Sequence, residues 1–190
     1  MSKAIRIYMH GGPEVLKWED KEVGEPGKGE VRLKLKAAGL NFIDCYQRSG
    51  LYPMDLPVTL GVEGVGVIDA VGPGVSSLSV GQRVTYTGGE VGSYAEERLI
   101  SANALIPLPE YIDDQTAAAM MLKGMTVHML LFKCYAVQPG DTILIHAAAG
   151  GVGNILCQWA NHLGVTVIGT VGNAEKAEKA RASGCHHPIN

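Results

Sequence analysis

The residues Asp141-Thr142-Ile143-Leu144-Ile145-His146 form an apolar run of strand length. It enters the small-residue turn Ala147-Ala148-Ala149-Gly150-Gly151-Val152-Gly153, after which residues 154–163 carry the pattern of a helix. Strand, small-residue turn and helix, in that order, are what a dinucleotide pyrophosphate requires. Small side chains let the backbone approach the phosphates, and a helix N-terminus offers N–H groups and the positive end of a dipole. The spacing departs from G-x-G-x-x-G, because Ala148 stands in the first glycine place, with Gly150 and Gly153 in the other two. Glycine-rich turns also close many βα units that bind nothing, so the turn alone leaves both readings open.

The following residues favour the nucleotide reading. Gly164 sits where a helix stops in the left-handed conformation, and residues 165–172 read as a second buried strand. Residues 174–183, rich in Ala, Glu and Lys, read as a second helix that Gly184 ends, and residues 185–190 as the start of a third strand. An NAD site usually has a carboxylate about 20 residues past the glycines, for the ribose 2′-OH. Here Gly169-Thr170-Val171-Gly172-Asn173 has none before Glu175, and Lys176 follows as a cation suited to a 2′-phosphate. A solvated helix lysine is the plainer reading of Lys176 by itself. The missing acid is the stronger half of the argument, and it selects NADP(H) over NAD(H).

A formal net charge of -3 over 190 residues gives no electrostatic bias toward nucleic acid or an anionic membrane. No stretch reads as the roughly 20 apolar residues of a membrane span, and the N-terminus lacks the apolar core of a signal peptide. The four cysteines, Cys45, Cys134, Cys157 and Cys185, are scattered with no C-x-x-C pair, and Cys134 and Cys157 read as core thiols. A cytoplasmic setting is expected. A full doubly wound domain needs about six strands, and the nucleotide-type pattern, starting near residue 125, covers only half of that.

Residues 1–120 have another texture. Strand-length runs at 4–8, 31–36, 65–71, 81–86 and 92–99 alternate with turn clusters such as Gly11-Gly12-Pro13, Gly24-Glu25-Pro26-Gly27 and Gly72-Pro73-Gly74. One short helix is expected over 42–48. The texture changes at Pro107-Leu108-Pro109, and a helix with Asp caps begins at Asp113.

Taken in order, Gly61-x-Glu63-Gly64-x-Gly66, Val71-Gly72-x-Gly74-Val75, Gly81-x-Arg83-Val84 and the turn at 147–153 resemble the medium-chain dehydrogenase/reductases. Within them, Asn41-Phe42-Ile43-Asp44-x-Tyr46-x-Arg48, Leu122-Lys123-Gly124-x-Thr126 and His146-Ala147-Ala148-Ala149-Gly150-Gly151-Val152-Gly153-x-Ile155 are similar to the zinc-free, ζ-crystallin-like NADPH:quinone oxidoreductases. The resemblance implies an α/β chain with a GroES-like β-rich domain over 1–122, lacking its C-terminal return. The first half of a Rossmann doubly wound domain would follow over 123–190. It further implies a homodimer in the full-length form, and at most trace activity for a chain ending at Asn190.

The zinc-dependent relatives carry Gly-His-Glu where this chain has Gly61-Val62-Glu63, and valine cannot ligate a metal. Gly39-Leu40-Asn41 stands where a cysteine ligand would be, and no four-cysteine lobe is present. Without a Lewis acid, the chemistry open to such a fold is reduction of acceptors that are already electrophilic, quinones or enones, by NADPH. By resemblance, Asn41 and Tyr46 stand beside the nicotinamide, Thr126 touches its carboxamide side, Ala148, Gly150, Gly151 and Val152 hold the pyrophosphate, and Gly172, Asn173 and Lys176 surround the 2′-phosphate. Tyr52, in Gly50-Leu51-Tyr52-Pro53, resembles the proton donor of zinc-free enoyl reductases but also suits a wall of the substrate site. Asn41 could equally be an N-cap, Thr126 a helix threonine bonded to its own backbone, and Glu63 a structural carboxylate. Two readings of another class stay open: a non-catalytic remnant, and RNA binding, which the acidic balance disfavours.

Overall fold

A computed structural model describes all residues 1–190 and divides the chain into two compact units, Met1–Met121 and Leu122–Asn190. In the first unit, β1 (Ser2–Ile7), β2 (Lys17–Lys21) and β4 (Val58–Thr59) form a three-stranded sheet in the order β2-β1-β4. A five-stranded antiparallel sheet runs β7-β3-β5-β6-β8, with β3 at Glu30–Ala38, β5 at Glu63–Val71, β6 at Arg83–Thr87, β7 at Glu97–Ser101 and β8 at Ile106–Pro107. The period-two pattern of β3 explains its two faces. Val31 and Leu33 are buried with Ile68, Val84, Tyr86 and Ile100, whereas Arg32 and Lys34 turn outward onto Asp69 at 2.7 and 2.8 Å. Those two cations hold the Asp69 carboxyl below its ordinary value, Lys34 foremost. The helix α1 spans Phe42–Ser49, one residue beyond the expected end.

Three strands are absent from the sequence reading: β2, β4 and β8. In β2, Lys17-Trp18-Glu19-Asp20-Lys21 is almost wholly polar because the strand is a sheet edge that pairs with β1 alone. The other two contain two residues each, too short for a period to show. The expected strand over 92–99 starts later, at Glu97, because Gly92, Ser93 and Tyr94 donate instead to the carbonyls of Gly61, Gly61 and Leu60.

The helix α2 (Asp114–Met129) begins on Asp113, whose carboxylate accepts from the Thr116 N–H at 2.8 Å and the Thr116 hydroxyl at 2.6 Å. It runs on into a π-helical turn, Leu130–Cys134. The continuous segment Asp114–Cys134 is long and apolar enough, by length and composition, to cross a membrane, contrary to the expectation that no segment approaches such a span. The interspersed Lys123 and Lys133 hide this from a count of consecutive apolar residues. Cys134, expected in the core, is exposed. The wider register of the π turn carries its last residue off the buried face.

In the second unit, β9 (Thr142–Ile145), β10 (Thr166–Thr170) and β11 (His187–Ile189) form a parallel sheet in the order β11-β10-β9, the start of a doubly wound arrangement. Two helices, α3 (Gly151–His162) and α4 (Ala174–Ala182), connect these strands. Leu156, Cys157, Ala160, Val165, Val167 and Ala180 close one core with Val127 and Leu131. Pro188 lies in the edge strand β11, where a missing ladder N–H is tolerated.

Candidate functional site

Each unit carries its own group of candidate residues. In the first, α1 starts at Asn41, whose backbone N–H donates to Asp44 Oδ2 at 2.8 Å while the Asp44 N–H donates to the Asn41 carbonyl at 3.1 Å. This is the return half of a capping box, with Asp in the acidic place. The Asn41 amide instead donates to Glu63 Oε2 at 2.8 Å. Glu63 is wholly buried at the head of β5, so that bond helps to offset the desolvation of its carboxylate. Glu63 thereby holds the Asn41 amide at the start of α1.

Two members of this group escaped the sequence reading. Asp44 is buried, and the Tyr94 hydroxyl donates to its Oδ2 at 2.6 Å; Asp44 Oδ1 has no hydrogen-bond partner. Burial first, and then the Asp44 carboxylate, push the Tyr94 hydroxyl well above its ordinary value. The spacing from 44 to 94 hides this pair, since only sheet pairing brings Tyr94 to α1. Tyr46 and Tyr52 do come together: their rings meet edge to face at 5.5 Å, and the Tyr52 N–H donates to the Tyr46 carbonyl at 3.1 Å. Phe42 stacks on Tyr46 at 6.4 Å, and all three rings are solvent-exposed. Val62, in the place where the zinc-dependent enzymes carry histidine, is buried.

In the second unit, α3 begins at Gly151, three residues earlier than expected, so Gly151, Val152 and Gly153 form its first turn. The N-cap is Gly150, with no side-chain cap, and the first-turn N–H groups have no partner within the helix. A Cβ at Gly153 would stand 2.3 Å from the Ala147 carbonyl oxygen, so only glycine lets this helix pack against its own turn. A Cβ at Gly151 would meet the Lys123 side chain at 2.9 Å, which places the lysine stem over the turn. Ala148, expected to line the cofactor, is a correction. It is wholly buried, its N–H donates to the Thr170 carbonyl at 3.0 Å, and its methyl packs over Gly169. Its place in the motif serves packing of β9 on β10, because the turn dips inward there. Thr126 donates its hydroxyl to the Leu122 carbonyl at 2.8 Å, the backbone bond the sequence left open.

At the end of β10, Thr170 Oγ1 lies 3.2 Å from His146 Nδ1 and accepts from the Ala147 N–H at 3.3 Å. Asn173 caps α4, its Oδ1 accepting from the Lys176 N–H at 2.8 Å, so Asn173 and Lys176 are joined through the backbone. The carboxylate nearest in sequence, Glu175, pairs with Lys179 at 2.7 Å, which lowers its pKa, and the Lys176 ammonium is exposed. Gly172 has open space around its Cα. Backbone donors, a neutral strand end and an exposed cation together suit a phosphorylated dinucleotide.

The chain is similar to several known proteins. Residues 27–110 match the alcohol dehydrogenase GroES-like domain. The whole chain is 50% identical to a quinone oxidoreductase of Pseudomonas aeruginosa and 48% identical to a 2-haloacrylate reductase of a Burkholderia species, covering 59% of each. It thus spans about three fifths of the length of the curated relatives it matches. A crystal structure of the Escherichia coli quinone oxidoreductase complexed with NADPH superposes with a TM-score of 0.97 at 46% identity, over 99% of this chain and 58% of that one.

Proposed function

We propose that the chain is a member of the quinone oxidoreductase family of the medium-chain dehydrogenase/reductases and serves NADPH-dependent, metal-independent reduction of quinones or similar electrophilic carbonyl acceptors. The observation that carries the reading is the glycine-capped start of α3 beside a strand end with no free carboxylate. Bound NADPH would supply the reducing hydride; all else falls to the residues of the chain. Backbone N–H groups of Gly151 and Val152 would receive the pyrophosphate, and Gly172, Asn173 and Lys176 would receive the 2′-phosphate, with the ammonium supplying the charge contact. In the first unit, Glu63 fixes the Asn41 amide, and the exposed Tyr46 and Tyr52 rings give a flat acceptor an aromatic surface. The working protein is a cytoplasmic homodimer in this reading.

A second acceptor class has support in the 2-haloacrylate reductase relative, whose named substrate is an activated alkene. Reduction of such a C=C bond needs a proton as well as a hydride. The Tyr52 hydroxyl, beside Tyr46, is the candidate donor. Titration of the protein with NADPH and NADH tests the cofactor reading: NADPH binds at least tenfold tighter, and equal affinities overturn it. Turnover of a 1,4-benzoquinone that survives exhaustive chelation supports metal independence. Zinc lost together with activity refutes it.

A further inference from the structure

Arg98 is 96% buried by its 4% exposure, yet no carboxylate lies within ion-pair distance of it. Its guanidinium contacts only neutral groups: Nε donates to the Leu99 carbonyl at 3.4 Å, Nη1 to the Tyr86 hydroxyl at 3.4 Å and Nη2 to the Glu90 carbonyl at 3.2 Å. The Tyr86 ring lies 5.1 Å beneath it. A guanidinium has five N–H donors and cannot shed its proton, so one N–H on each terminal nitrogen is left over. Those two are the donors that two oxygens of an oxyanion could take.

A second cation stands beside it. Lys21, at the end of β2 opposite Ser2, also lacks a carboxylate partner. Its pKa is lowered by burial first, and then by the charges of Arg6 and Arg98. Arg6 is already paired with Glu19 at 3.3 Å, leaving Lys21 and Arg98 as the uncompensated pair. Both line an open cavity of about 240 Å³ with Val23, Glu90, Val91, Gly92 and Leu99. Glu90 gives this cavity its backbone carbonyl, and its side chain is exposed. Gly92 adopts φ 137°, and a Cβ there would stand 3.3 Å from Arg98 Cζ, so the loop closes over the guanidinium only as glycine. Two like charges held together in a half-closed space repel each other, and the neutral acceptors and the Tyr86 ring around Arg98 offset its desolvation only in part. An anion between them would offset both.

We propose that Lys21 and Arg98 form a binding site for a small oxyanion, of the phosphate or carboxylate kind, between β2 and β7 of the first unit. Arg98 supplies a fork of two donors and Lys21 a point charge facing it. The site uses none of the residues assigned above to cofactor or acceptor.

The test follows backbone amide resonances of residues 90–99 in the ¹⁵N-labelled chain during titration with inorganic phosphate, sodium chloride holding the ionic strength constant. A parallel titration uses acetate. Saturable shifts at these amides are expected, with Lys21→Met weakening the apparent Kd at least fivefold and Arg98→Met abolishing saturation. Tighter phosphate than acetate binding identifies a phosphate-type ligand, and the reverse order a carboxylate. Should Arg98→Met fail to fold, Lys21→Met on the sheet edge still decides. Shifts that are linear without saturation, or an affinity unchanged by Lys21→Met, overturn the site. NADPH binding is read separately, so failure here leaves the cofactor reading untouched.

Discussion

The starts of α1 and α3 solve the same problem in opposite ways. Every helix opens with N–H groups that have no partner in the helix. At α1 the neighbourhood is filled from within: Asp44 takes the Asn41 N–H, Glu63 takes the Asn41 amide, and Tyr94 closes over Asp44. At α3 the cap is Gly150, which offers no side chain, so no cap side chain takes the first-turn backbone donors. A helix start crowded with side chains is part of the fold's own stability, whereas one stripped to glycine leaves its donors uncapped by any side chain, as the proposed pyrophosphate contact requires. The contrast separates residues whose loss harms folding from residues whose loss harms binding.

The largest expected effect crosses that line. Gly153→Val drives a branched side chain toward the Ala147 carbonyl, where even a Cβ would stand at 2.3 Å, and should cost about 3 kcal/mol or more. Urea unfolding of the variant checks this, and a loss below about 1 kcal/mol would show that the turn is not as tightly packed as its geometry demands. Next comes the filled start. Asp44→Ala removes the acceptor of both the Asn41 N–H and the Tyr94 hydroxyl and should cost about 2 kcal/mol, tempered because Asp44 Oδ1 is itself buried without a partner. NADPH affinity, measured at a temperature where both proteins are folded, should be unchanged.

Lys176→Ala is the converse. The side chain is exposed and its backbone N–H bond to Asn173 survives truncation, so stability should not move. Preference for NADPH over NADH should fall by at least tenfold, about 1.4 kcal/mol. An undiminished preference in paired titrations would assign the 2′-phosphate elsewhere. The smallest effect at neutral pH belongs to Tyr94→Phe, which keeps the ring and loses one hydrogen bond, about 1 kcal/mol. Its signature lies in alkali. Because the folded pKa of Tyr94 is raised above the unfolded value near 10, its contribution is full below pH 10 and is lost as pH rises beyond it. Unfolding midpoints at pH 9 and pH 11 should therefore diverge more in the parent protein than in the variant.

The glycines and apolar runs around residues 141–190 announced their strands and helices because in a parallel βα unit the chemistry is local: strand, turn and cap are consecutive. Even so, the start of α3 shifted to Gly151, since the glycines that loosen a turn in sequence can also open a helix when packing demands it. The polar edge strand β2 was illegible, because an edge strand needs no apolar face. The same logic divides the site residues. Sequence by itself determined the glycine turn, the missing carboxylate after β10, the candidate tyrosines Tyr46 and Tyr52 and the resemblance they carry. Only tertiary structure decided that Ala148 is buried in the core, that Tyr94 joins Asp44, and that Arg98 and Lys21 line one cavity. Those contacts join residues tens of positions apart through strand pairing, and the burial that gives them their energies exists only once the sheets have formed.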